Sequence, residues 1–181
     1  MKNKLILIPA MLLGISCAMV ACNKADEITL SEDQLTTCDS NATCENIFTL
    51  SSDVDRNYNY VAEGNYKVFT ARKTYTGSQS QTNLFIMAPK NGDSFSLSGN
   101  DIKNGRVKLQ LICTACNYAN FKLIGGEVKG KNLLPEKALD QSKWLIEAKI
   151  IMATDLQVKG DQKLKDTIYI KQYFYPNFVF D

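Results

Sequence analysis

The sequence predicts an all-β domain, an antiparallel β-sandwich of roughly nine strands. Three observations lead there. Short apolar runs, several with strict polar alternation, recur from Ile47 to the C-terminus. Glycine- and asparagine-containing turns separate them, and only one stretch has helical character. Unequal strands and irregular loops favour a sandwich over the second architecture the pattern permits, a closed lipocalin-like barrel.

The elements follow in chain order. Residues 46–52, with Ile47, Phe48 and Leu50, form a first short strand. Residues 57–62 and 65–75 form two more, split by Glu63-Gly64. After the loop 77–80, Leu84-Phe85-Ile86-Met87 forms the apolar centre of a strand over 82–88, stopped by Pro89 and the turn Asn91-Gly92. Phe95 and Leu97 alternate with Ser94, Ser96 and Ser98. In 106–113, Val107, Leu109, Leu111 and Cys113 face one way, and Arg106, Lys108 and Gln110 the other, so one face of this strand is wet. A strand over 118–124 ends where Gly125-Gly126 bends the chain. Residues 133–139 give the single helical turn expected. Trp144, Ile146, Ala148, Ile150 and Met152 alternate with Glu147 and Lys149, which places Trp144 in the core. Residues 155–166 read as a loop with Gly160-Asp161 as its turn; 166–174 form the last long strand, and Phe178-Val179-Phe180 close the chain.

The first 27 residues have a different character. Lys2 and Lys4 precede an apolar run from Leu5 to Ile15, and small residues follow, which is the plan of a secretory signal peptide. The run is too short and interrupted to span a membrane, which takes about 20 apolar residues. Met19-Val20-Ala21-Cys22 resembles the lipobox of bacterial lipoproteins. The resemblance is confined to this leader. It implies cleavage before Cys22, acylation of its sulfur, and an outer-membrane protein facing the periplasm or the cell surface. Leucine is the usual residue where Met19 stands; a second match, Gly14-Ile15-Ser16-Cys17, is poorer because Gly14 takes that apolar position. Lys24-Ala25-Asp26-Glu27 resembles the short charged tag by which some such lipoproteins reach the cell surface. The expected organisation is a signal peptide over 1–21, a lipidated N-terminus and polar tether over 22–45, and the β-domain over 46–181.

Composition narrows the functions. The 181-residue chain less its leader has the size of one domain. Lys2 and Lys4 leave with the leader, which brings the 21 basic residues level with the 19 acidic ones. No basic stripe argues for nucleic acid. The chain has no histidine, which removes His-based triads, Cys–His dyads and His-containing zinc sites. No catalytic constellation, cofactor or metal is implied, and the protein is not expected to be an enzyme.

Cys38, Cys44, Cys113 and Cys116 remain after Cys17 and Cys22, and in an exported protein they read as disulfides. Local pairing, 38 with 44 and 113 with 116, is favoured among the three possible connectivities. The spacing Cys113-Thr114-Ala115-Cys116 is that of a redox motif, but a strand rather than a helix leads into it, so a structural bond is expected. Asp53-Val54-Asp55-Arg56-Asn57 starts like a calcium loop, yet Tyr58 stands at the glycine position, so a solvated turn is expected. Asp166-Thr167-Ile168 resembles a short O-glycosylation acceptor.

Aromatic residues crowd two regions: Tyr169, Tyr173 and Tyr175 in the last strand, Tyr58 and Tyr60 in the second. Exposed on a rigid sheet they would stack on sugars or anchor a protein; turned inward they are cross-strand packing. The expected function is therefore a binding or assembly module, anchored to the membrane by its lipid, for a glycan or another envelope protein. An inhibitor or immunity-type lipoprotein is the alternative. A carboxylate-based hydrolase ranks last, because Glu147 is the one acid set within a convincing strand.

Overall fold

A computed structural model describes residues 28–55, 60–78, 80–113, 121–158 and 162–177. The all-β expectation holds. The strands are β1 (Ala42–Val54), β2 (Val61–Glu63), β3 (Tyr66–Tyr75), β4 (Ser80–Pro89), β5 (Ser94–Leu97), β6 (Val107–Ile112), β7 (Phe121–Asn132), β8 (Trp144–Val158) and β9 (Gln162–Pro176). They form one sheet in the order β5-β7-β8-β9-β1-β3-β4-β6, with β2 paired to β1 off this path. The sheet does not close, which rules out the lipocalin-like barrel.

The sheet folds over on itself into two layers. β5, β7, β8 and β9 make one, and β1, β3, β4 and β6 the other. The hinge is a short β1/β9 pairing, Ile47 beside Tyr175 and Phe48 beside Pro176, and it is parallel where an all-antiparallel sheet was expected. Alternation then decides what lies inside. Phe48, Phe69, Ile86, Phe95, Trp144, Ile146 and Phe174 meet between the layers. Phe69 stacks on Phe95 at 5.5 Å and meets Trp144 and Phe174 edge-on at 5.3 and 5.6 Å. Trp144 is core, as its alternating strand predicts.

Several boundaries differ from the sequence reading, each for a physical reason. β7 does not stop at Gly125-Gly126. It passes through them with a register shift between Leu123 and Gly125, a bulge that Gly126 permits by taking φ 127°. The expected loop 155–166 is largely hairpin, since β8 runs to Val158 and β9 begins at Gln162; the turn Gly160-Asp161 lies outside the described residues. Residues 133–139 form turns, with one tight helical turn at Leu139–Gln141. The true helical turn, α1 (Gly99–Asp101), is fixed by Ser98: its Oγ accepts from the Asp101 N–H, and the Asp101 carboxylate accepts from the Ser98 N–H. β1 starts at Ala42, inside the stretch assigned to the tether. Of the strand expected over 57–62, residues 57–59 lie outside the described residues, as do Phe178-Val179-Phe180.

One charge enters the core. Lys67 is 6 % exposed, with its ammonium 3.8 Å from the centre of the Trp144 ring and donating to the Gly92 carbonyl. Desolvation lowers its pKa to about 8, partly opposed by Asp93. Between pH 8 and its unfolded value of 10.5 the unfolded chain therefore holds a proton that the folded chain has released, so stability rises with pH across that window. Lys67→Met should remove this rise. Urea unfolding at pH 7.5 and pH 10 tests it; an equal rise in parent and variant would refute the assignment.

Candidate functional site

The aromatic core fills one end of the space between the layers. Toward the other end the inward residues become aliphatic; Ala71, Leu84 and Met152 are still buried, while Leu109, Leu111, Ile168 and Ile170 are half-buried. The same strands supply them, one or two pleats further along: Ala71 beyond Phe69, Leu84 beyond Ile86, Leu109 and Leu111 beyond Val107, Met152 beyond Ile150, and Ile170 and Ile168 beyond Phe174 on β9. The result is an open cleft with a volume of about 590 Å³. Register fixes its walls: Asn46, Ala71, Leu84 and Leu109 lie side by side across β1, β3, β4 and β6, as do Met152 and Asp166 across β8 and β9. From Ala71 to Tyr75 the wall is about 13 Å deep, at roughly 3.3 Å per strand residue.

The rim is polar. Thr36, Thr37 and the Cys38–Cys44 disulfide form one lip. The described part of the tether region lies along β9. The Thr36 N–H donates to the Lys171 carbonyl, Thr36 Oγ1 bonds the same residue, and the Gln172 amide donates to the Thr36 carbonyl. Lys73 closes the lip by its ion pair with Asp39 at 2.5 Å. That bond lowers the Asp39 pKa and raises that of Lys73, with Tyr75 contributing to both. Asp39 thus favours this arrangement above its ordinary value of 3.8 and loses it as pH falls, while Lys73 favours it below 10.5 and loses it as pH rises. Arg72 is likewise paired, with Glu45 at 2.7 Å.

Cys38 and Cys44 are bonded to each other, as local pairing predicts, with Cα atoms 5.9 Å apart. Cys113 is also disulfide-bonded; Cys116, its partner under local pairing, lies outside the described residues. The Asp53 turn is described only to Asp55, whose carboxylate accepts from the Tyr60 N–H; 56–59 lie outside. Among the described residues no group of three or more acidic or cysteine side chains could hold a metal.

The tyrosines do not form one surface. Tyr169, Tyr173 and Tyr175 share the outward face of β9. Tyr60 precedes β2 and lies opposite Asp55, eight residues along the chain from Ile47, the partner of Tyr175. Tyr58 lies outside the described residues. Two of the β9 rings are held in place: Tyr169 hydroxyl donates to Glu147 at 3.5 Å, and Tyr173 bonds Glu32 beneath the Lys143 ammonium, 3.4 Å from its ring centre. Tyr175 and Tyr60 are the more exposed, at 51 % and 61 %. Glu147 stands on the outer face, 3.8 Å from Lys171.

The cleft residues are not legible in the sequence. The alternation of Val107, Leu109 and Leu111 says they face inward, but nothing local says which end of an interior the rest of the chain leaves unfilled. Compared with protein families, with curated proteins and with solved structures, the chain matched none.

Proposed function

We propose that this protein is a lipid-anchored binding module of a bacterial outer membrane, and that the cleft between its layers is the ligand site. The observation that carries the reading is the cleft itself. Its volume lies within the 300–1,000 Å³ typical of small-molecule sites, and aliphatic walls under a few polar groups are what such sites present. The β9 tyrosines support a glycan platform less well, because Tyr169 and Tyr173 are committed to Glu147 and Glu32.

A neutral apolar fluorophore, N-phenylnaphthylamine, tests the site. The purified protein should bind it with enhanced emission, and Ile168→Trp and Leu111→Trp, which place a ring in the open space, should each abolish that signal. Undiminished binding by both variants, with melting unchanged, would overturn the assignment.

The anchor has its own test. Cys22→Ala should move the protein from the membrane fraction to the soluble fraction, since dual acylation is what makes such anchoring stable. Retention in membranes would show that Cys22 carries no anchor.

A further inference from the structure

The tether and a group of exposed apolar side chains meet at one end of the molecule. Glu32 bonds the Tyr173 hydroxyl, and Thr36, further on, bonds Lys171 and Gln172. The chain therefore comes onto β9 at the aromatic end and runs toward the cleft lip at Cys38. The chain from Cys22 to Glu32 spans at most about 35 Å, so a lipid on Cys22 keeps that end close to the bilayer. Asp166, at the cleft mouth, lies about 23 Å from Tyr173 along β9, at roughly 3.3 Å per strand residue.

The connection from β7 to β8 projects from the same aromatic end. The Leu133 N–H donates to the Lys143 carbonyl, the Leu134 N–H to the Asn132 side chain, and the Lys137 N–H back to the Leu134 carbonyl. The Gln141 and Ser142 N–H groups donate to the Ala138 and Leu139 carbonyls, and the turn Leu139–Gln141 packs against β9. These bonds fix the loop with Leu134 38 % and Leu139 44 % exposed. Tyr175 stands level with the loop, because Phe174 already faces Trp144, the first residue of β8. Leucines held out into water are unfavourably placed; at the edge of a bilayer they bury their surface in acyl chains, and a tyrosine ring suits the headgroup level. Charge neither draws nor repels this end, since Glu136 and Asp140 offset Lys137 and Lys143.

We propose that Leu134, Leu139 and Tyr175 form a membrane-contact face, seated at the headgroup–acyl boundary of the bilayer that holds the lipid, and that the cleft opens away from that membrane. The proposal rests on Cys22 being the anchor. The lipid supplies the attachment and the face supplies the orientation. Ligands then reach the cleft from the aqueous side. The contact is apolar, so it depends neither on anionic lipid nor on salt.

The lipidated protein, in phosphatidylethanolamine–phosphatidylglycerol vesicles with and without brominated phosphatidylcholine, tests the orientation. Flotation is read first, and a parent protein that does not float with the vesicles would remove the anchor on which the proposal stands. In floating vesicles, Leu134→Trp and Leu139→Trp should each lose about half of the emission they add to the parent, as side chains about 5–10 Å into the interface would. Trp144, 2 % exposed, is the shielded background. Tyr75→Trp, at the cleft rim, should not be quenched. Unquenched tryptophans at 134 and 139 in floating vesicles would overturn the contact face and leave the anchor intact. Equal quenching at 75 and 139 would overturn the orientation. Quenching at 134 and 139 that vanishes in high salt or without phosphatidylglycerol would overturn the apolar contact.

Discussion

Phe69→Ala should cost about 3–5 kcal/mol of unfolding free energy, the range for removing a buried aromatic side chain. Phe69 has no exposed surface and sits at the crossing of the two layers. Its ring meets Phe48 and Phe95 at 5.5 Å, Trp144 at 5.3 Å and Phe174 at 5.6 Å, so β1, β5, β8 and β9 all touch this one side chain of β3. The four surrounding rings could not collapse onto the vacancy without moving strands in both layers, which places the loss in the upper half of that range. Urea unfolding monitored by Trp144 fluorescence measures it, because the single tryptophan is one of the rings in contact. A loss below about 1 kcal/mol would mean that another pair of residues holds the layers together.

The layers were legible and their assembly was not. Alternation over 107–111 and 144–152 identifies inward faces from the residues alone, because one face of each strand is dry. It places Trp144 in the core. It says nothing about partners. The parallel contact of Ile47–Phe48 with Tyr175–Pro176 joins residues more than a hundred positions apart, and it turns two antiparallel halves into one folded sheet. The cleft has the same origin. Asn46, Thr82, Leu109 and Ile168 come from four strands, and each alone reads as an ordinary strand residue. Residues 155–166 misled for another reason. The pairs Gln157–Lys163 and Val158–Gln162 hold the hairpin by backbone bonds, and their mostly polar side chains give no apolar alternation to read. Gly125-Gly126 misled because a glycine pair signals a bend equally well as a turn or as a bulge within a strand. Ser98-Gly99-Asn100-Asp101 carries a local signal of its own, the serine and acid of a capping box, directly after the serine-rich strand.

Gly126→Val should cost about 3 kcal/mol or more, well beyond the loss of an ordinary core methyl group. Two effects add. A side chain at φ 127° is strained wherever it stands, at about 1–3 kcal/mol. A Cβ there would also lie 2.0 Å from the Lys149 carbonyl oxygen and 3.0 Å from the Ile150 Cα, backbone atoms that cannot rotate aside. β7 and β8 would have to part where Gly126 faces Ile150. Each ladder hydrogen bond lost there is worth about 1 kcal/mol. Gly77→Ala is the matched control, since a Cβ at that position meets nothing within 4 Å, and it should change stability by less than about 0.5 kcal/mol. The two variants read out function as well as stability. Ile150 leads directly to Met152 in the cleft wall, so a displaced β8 moves one side of the ligand site. Below its lowered unfolding midpoint, the Gly126→Val protein should bind N-phenylnaphthylamine more weakly, while Gly77→Ala binds like the parent. Parent-like stability in Gly126→Val would show that the bulge can relax into an ordinary ladder. Lowered stability with parent-like probe binding would show that β8 holds its place in the cleft without its pairing to β7.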